Sequence, residues 1–243
     1  SGREIARGCR MPAVVNFRQG DVRLGGQGAP LVPVADQLLF SEFEACLNLG
    51  GFSNISYTDR RGNLRAMDIS PANLPLNELA MALGKVYDRN GKLASKGKVH
   101  KDLLNELNRL EYYRRIGPKS LGREWLESQF MPLVRSHDSK IEDKLRTVTE
   151  HIALQTAFAL KKVGLKKGKM LVTGGGAFNK FMMQRIRYHI GMEAVIPDKG
   201  TVQFKEALAF ALLGLLRLRG EINIRRSVTG ARRDSCGGEI FRP

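Results

Sequence analysis

The chain has 243 residues, 42% of them apolar, and a formal net charge of +16. Its length allows one large or two small domains around an ordinary core. It has neither the 18 or more uncharged apolar residues of a membrane span nor, in its opening SGREIARGCR, the apolar run of a secretory signal, so a cytoplasmic protein is expected. Three widely spaced cysteines (Cys9, Cys46, Cys236) form no disulfide framework, and four scattered histidines have no ligand spacing. No structural metal is expected.

So basic a chain raises the question of nucleic acid. The basic pairs are dispersed, at positions 60–61, 114–115, 161–162, 166–167, 225–226 and 232–233, and aromatics are not interleaved with them as a stacking platform requires. Solvated surface is the favoured reading, with a polyanion binder as the alternative.

In chain order, residues 1–36 are rich in glycine and turns, and the prolines of GGQGAPLVP (25–33) predict a loop. Next come the strands CLNL (46–49) and FSNISYT (52–58), a turn over Asp59–Asn63, and the strand LRAMDI (64–69). From Leu74 the periodicity becomes helical, with Asn73 as the expected N-cap. Further helices are predicted over 101–113, 122–134, 141–163, 179–190 and 202–219, and strands over 170–173 and 194–196. Strand and helix alternate in this half, which indicates an α/β layer architecture. Trp125, Phe178 and Phe181 are assigned to the core.

Three loops are expected to follow strands: Gly25–Pro33, Gly50–Asn54 and Gly174–Ala177. In open α/β sheets ligands bind beyond the carboxyl ends of strands, where loop amides can hold phosphate oxygens. The triplet Gly174, Gly175, Gly176 can serve a ligand or a tight strand-to-helix connection. The chain has neither a G-x-G-x-x-G fingerprint nor a GK[ST] loop. Asp68 ends an apolar strand and is placed to act as a base in phosphoryl transfer; the alternative, capping the next helix, fits Asn73 better.

The segments NFRQGDVRLGGQGAPLVP (16–33), LNLGGFSNIS (47–56), MDISPANLPLN (67–77), GPKSLGREW (117–125), LVTGGGAFNKFMMQRI (171–186), EALAFALLGLLRLRGEIN (206–223) and SVTGA (227–231) together resemble the anhydro-N-acetylmuramic acid kinase family, in collinear order over nearly the whole chain. The resemblance implies an α/β, actin-like ATPase (ribonuclease H-like) fold, mostly its C-terminal domain, with a mixed sheet and flanking helices. Residues 1–36 would close the N-terminal domain and link it to the C-terminal domain at 37–243. It implies ATP and Mg²⁺ as cofactors, a sugar substrate, and a homodimer without membrane association. The implied activity opens the anhydro bond of anhydro-N-acetylmuramic acid and phosphorylates the sugar in peptidoglycan recycling.

By the same resemblance Asp68 is the base, Gly50, Gly51 and Asn54 lie near the γ-phosphate, and Gly174, Gly175 and Gly176 lie against the nucleoside. Glu206, Asn73 and Gln27 fall near the sugar, although Gln27 could instead shape a subunit contact, and a structural role is favoured for it. Lys119 and Arg123 could hold an anionic substrate group or form a surface cluster. Three positions depart from the family pattern: Ser70 and Ala72 stand where it has glycines after the base, and Asn16 where it has Asp. The family's Gly-Thr-Ser-x-Asp-Gly phosphate loop and Gly-His-Gly-Gln segment do not occur, so a shortened or partial chain is expected, with a catalytically inactive homologue as the alternative.

Overall fold

The computed structural model describes residues 1–115 and 119–243. The chain opens with helix α1 (Gly2–Cys9), whose start is set by a capping box: Ser1 accepts from the Glu4 N–H and the Glu4 carboxylate reaches back to the terminal amine. Strand β1 (Ala13–Val15), helix α2 (Phe17–Arg23) and helix α3 (Pro33–Leu39) follow. Residues 1–24 and 33–36 are therefore largely structured, contrary to a loop over the whole stretch, while residues 25–32 form the expected loop between α2 and α3. Pro33 begins α3 rather than forbidding it, because the first helical position needs no N–H.

Strands β2 (Ala45–Leu49) and β3 (Phe52–Thr58) are joined by Gly50 and Gly51 alone, so the chain doubles back antiparallel. Strand β4 (Leu64–Pro71) returns after a turn closed by the Asp59 N–H on the Asn63 carbonyl, 2.8 Å. The Asp59 carboxylate accepts the N–H groups of Arg61 and Asn63, both at 2.9 Å, which explains why this turn was readable.

Helices α4 (Asn73–Met81), α5 (Lys101–Arg109) and α6 (Glu111–Arg114) come next. The helix expected over 122–134 is present as α7 (Arg123–Trp125), which runs through a π-helical turn over Leu126–Phe130 into α8 (Met131–Ser136). Pro132 accounts for the interruption: it offers no N–H to the preceding turn, and its ring pushes that turn wide. The long α9 (Ile141–Lys162) leads to β5 (Lys169–Thr173), α10 (Lys180–His189), β6 (Glu193–Val195), α11 (Lys199–Leu218), α12 (Arg226–Thr229) and β7 (Glu239–Phe241).

The main sheet has the order β4-β3-β2-β5-β6, and β1 pairs with β7 in a separate antiparallel ribbon. β2 and β5 run parallel with Asn48 opposite Thr173, and β5 and β6 are also parallel. A hairpin meander thus continues into parallel strands, giving the mixed α/β sheet with flanking helices that was expected. No helix among the described residues is long and apolar enough to cross a membrane.

The chain divides into two compact units. One comprises Ser1–Glu42, Ser56–Ala66 and Phe204–Pro243. Its core gathers Leu31, Val34, Leu64, Leu213, Leu216, Ile224 and Val228, with Phe17 edge-on to Phe210. The buried Lys205 is paired with Asp36 at 2.7 Å, and Asp36 also accepts from Ser56.

The second unit comprises Phe43–Ile55 and Met67–Gln203. Here α9 packs against α4, α5 and α10. It carries buried polar residues made tolerable by local bonds: Thr147, Thr149 and Thr156 each donate to the carbonyl four residues back. His151 is sealed between Asn108 and Tyr113, both at 2.8 Å, and burial holds its pKa at about 3, so it is neutral.

Candidate active site

Parallel pairing of β2 with β5 brings two glycine turns side by side at the carboxyl ends of those strands. The third loop expected with them, Gly25–Pro33, follows helix α2 rather than a strand and belongs to the other unit. Each glycine of the triplet has its own reason. Gly174 has φ +82°, and a Cβ there would fall 2.8 Å from the Leu49 carbonyl, so both conformation and close packing on β2 demand glycine. At Gly176 a Cβ would meet Met182 at 2.6 Å and Leu49 at 2.8 Å. Gly175 is different: a Cβ would meet only the Asn73 amide, at 3.7 Å. Two of the three glycines serve the tight connection, and Gly175 leaves backbone approachable by a ligand.

The end of β4 docks on the Gly50–Gly51 turn. Ala72 and Leu74 N–H groups donate to the Gly51 carbonyl, and that of Asn73 donates to Gly50. Asn73 is the first helical residue of α4 and not its N-cap, as expected from the sequence; its side chain reaches across to the Leu49 carbonyl at 2.9 Å. A side chain spent on holding two loops together cannot also close a helix end. Ser70, fully buried, shares hydrogen bonds with Ser53 on β3, so the hydroxyl that replaces a glycine is absorbed by packing.

Asp68 lies half-buried on β4, two residues from Ser70 and on the same strand face. Its surroundings come from a distant part of the chain. The Leu121 N–H donates to its Oδ2 at 2.7 Å, its own N–H donates to the Lys119 carbonyl at 3.0 Å, and the Tyr112 hydroxyl donates to its carbonyl at 2.7 Å. Burial raises the Asp68 pKa above the usual carboxylate value, partly offset by the Leu121 N–H. Among the described residues Oδ1 makes no hydrogen bond, which leaves this oxygen to take a proton. A carboxylate with raised basicity and one unengaged oxygen is equipped as a general base.

Lys119 is drawn inward: its ammonium donates to the Tyr112 carbonyl at 3.0 Å and lies 4.1 Å from the centre of the Tyr112 ring. Burial, followed by the charges of Lys162 and Arg115, lowers its pKa to about 8. Arg123 is exposed. Gly117 and Pro118, which open the motif containing both, lie outside the described residues. Tyr112, Leu121 and Ser53 were not singled out from the sequence, and nothing local in it marks them. Trp125 and Phe181 are half-buried, and Phe178 is 42% exposed rather than core, since it ends the 3₁₀ turn after the triplet.

Asn54 sits half-exposed on β3 in the same unit as Asp68. Glu206, exposed on α11, and Gln27 belong to the other unit. There the Gly25–Pro33 loop is wound over a residue the sequence reading passed by, the fully buried Asp21. Its carboxylate accepts the Gly28 N–H at 2.8 Å and the Thr229 hydroxyl at 2.7 Å, while the Gln27 N–H donates to the Thr229 carbonyl. These bonds join the motifs at 16–33 and 227–231 into one structure.

A family model described as anhydro-N-acetylmuramic acid kinase matches residues 2–243. Curated relatives of that description include one from Francisella tularensis subsp. novicida, 34% identical over 97% of this chain and 66% of its own length. Another, from Gloeobacter violaceus, is 35% identical over 98% of this chain and 66% of its own. The chain spans about two thirds of the length of these relatives. Among solved structures, an activator of 2-hydroxyisocaproyl-CoA dehydratase from Clostridium difficile overlaps 75% of the chain and 63% of its own at 18% identity and a TM-score of 0.47.

Proposed function

The chain belongs to the anhydro-N-acetylmuramic acid kinase family, and from that premise we propose that it serves ATP-dependent opening of the anhydro bond of 1,6-anhydro-N-acetylmuramic acid with phosphorylation of the freed sugar hydroxyl. The observation that carries the reading is Asp68: a carboxylate made more basic by burial, held at one oxygen and, among the described residues, without a hydrogen bond at the other, on the strand that ends against the paired glycine turns.

In this proposal Asp68 Oδ1 accepts a proton from the water that attacks the anomeric carbon. The Leu121 N–H and the Tyr112 hydroxyl fix the carboxylate and its backbone, so the base is positioned before substrate arrives. ATP with Mg²⁺ would supply the phosphoryl group and neutralise its charge. The open backbone at Gly175 fits a nucleotide, and Gly174 and Gly176 hold that turn against β2; Gly50, Gly51 and Asn54 would face the phosphates. Glu206, Asn73 and Gln27 are assigned to the sugar side. A cytoplasmic homodimer active in peptidoglycan recycling completes the reading.

The test is a coupled phosphorylation assay with ATP, Mg²⁺ and the anhydro sugar, on the chain and on Asp68→Asn. Product from the former that is lost in the latter supports the proposal. Nucleotide binding by folded protein without any turnover would overturn it in favour of a non-catalytic nucleotide binder.

A further inference from the structure

Two of the four histidines of the chain meet outside the site described above. His100 immediately precedes α5 and His137 immediately follows α8, and their rings lie edge to face with centroids 5.0 Å apart. Asp102, in the first turn of α5, joins them: one ligand atom from each of His100, Asp102 and His137 falls within 4.8 Å of the other two. We propose that these three residues form a binding site for a divalent transition metal, with Zn²⁺ as the ion of best fit.

The distances suit such an ion. Ligand atoms about 2.0–2.1 Å from a tetrahedral zinc lie about 3.4 Å from each other. His137 Nε2 and Asp102 Oδ2 are already 3.1 Å apart. Asp102 is exposed, so its side chain can swing toward His100, and the His100 ring, itself partly exposed, can turn toward His137 to close the third edge. The donor set of two imidazoles and one carboxylate is one that zinc accepts, with its fourth position left to water.

Each histidine also has the kind of outer partner that orients a ligand. His137 Nδ1 is 2.9 Å from the Ser139 hydroxyl, and when Nδ1 donates there, Nε2 is left with its lone pair turned toward Asp102. In the other tautomer Nε2–H donates to Asp102 Oδ2, and a bound cation takes the place of that proton. His100 Nε2 is 3.3 Å from Asp143 Oδ2, while Asp143 Oδ1 is fixed by the Lys98 N–H at 2.7 Å. A carboxylate behind a ligating imidazole raises its basicity and holds its ring. The ion would fasten the start of α5 to the segment that follows α8. The other two histidines are engaged elsewhere, His151 with Asn108 and Tyr113, and His189 with Glu150.

Zinc titration of the chain by calorimetry, with Co²⁺ as the spectroscopic probe, tests the site. The expected result is one saturable equivalent and a Co²⁺ d–d spectrum of tetrahedral intensity, with affinity falling at least about tenfold in both Asp102→Ala and His137→Ala. Asp102 is exposed, so that variant reads the metal without disturbing the fold, and circular dichroism checks the other. No saturable zinc binding, or binding that Asp102→Ala leaves unchanged, overturns the proposal.

Discussion

The Tyr112 hydroxyl donates a 2.7 Å hydrogen bond to the carbonyl of Asp68, tying the residue assigned as base to a buried aromatic 44 positions away. Tyr112→Phe removes the donor and leaves the ring, so the expected cost is about 1 kcal/mol in urea unfolding. In the proposed reaction, kcat should fall by up to about tenfold with KM little changed, because the loss acts on placement of the base and about 1.4 kcal/mol of barrier is a factor of ten. Steady-state kinetics separates the two constants.

Asp68 itself separates stability from activity. Burial raises its folded pKa above the unfolded value, so the folded state favours the protonated form, and the stability this contributes is lost as pH rises through the unfolded pKa toward the folded one. Asp68→Asn cannot ionise and keeps an oxygen to accept the Leu121 N–H. Thermal melts at pH 7 should find it at least as stable as the parent, while turnover falls by about 10²-fold or more. A large drop in melting temperature would contradict this account.

The glycine triplet gives a contrast within three residues. Gly174→Ala combines φ +82° with a clash against the Leu49 carbonyl and should cost about 2 kcal/mol or more. Gly175→Ala has room, so folding should change by less than about 0.5 kcal/mol. Nucleotide affinity, read by calorimetry, should nevertheless fall in Gly175→Ala, since the added methyl occupies the opening through which the backbone is reached.

Lys119 supplies a pH dependence of opposite sense to that of Asp68. Its folded pKa of about 8 lies below its ordinary 10.5, so between those values the unfolded chain binds the proton more strongly. From this group, stability rises with pH across that window. Chemical unfolding of the parent and Lys119→Met at pH 7.5 and 10.5 should therefore show the difference shifting in favour of the parent at the higher pH.

Asp21→Ala removes the acceptor beneath the Gly25–Pro33 loop, strands the Gly28 N–H and leaves the Thr229 hydroxyl only its 3.4 Å contact with the Arg225 carbonyl. A loss of about 3 kcal/mol is expected in urea unfolding. Asp21→Asn, which retains one acceptor oxygen, should lose less.

What could be read in the sequence was what is decided locally. FSNISYT is a short run with Phe, Ile, Tyr and Thr bounded by Gly51 and Asp59, and Asp59 builds its turn from its own neighbours, so strand and turn were legible to the residue. The capping box at Ser1 and Glu4 was equally local, but it sat in a glycine-rich stretch whose composition argued for loop. The glycine turns were recognisable as turns; that Gly174 packs on Leu49 while Gly175 does not depends on a strand pairing far away in sequence. Tyr112 and Leu121 beside Asp68, and His100 beside His137, are likewise products of tertiary proximity, which no spacing rule conveys.

That distant strand pairing also sets an order of events at the ribosome. Asn48 waits for Thr173, about 125 residues later, before β2 gains its parallel neighbour. At roughly 5–20 residues per second, a nascent chain spends about 6–25 s with the hairpin made and the glycine triplet not yet synthesised. During that interval the fully buried Leu47 and Leu49 lack one of their eventual walls. The turn that carries Gly175 thus docks on β2 only after β5 has emerged, and until then the β2 edge that β5 will cover presents unpaired backbone groups.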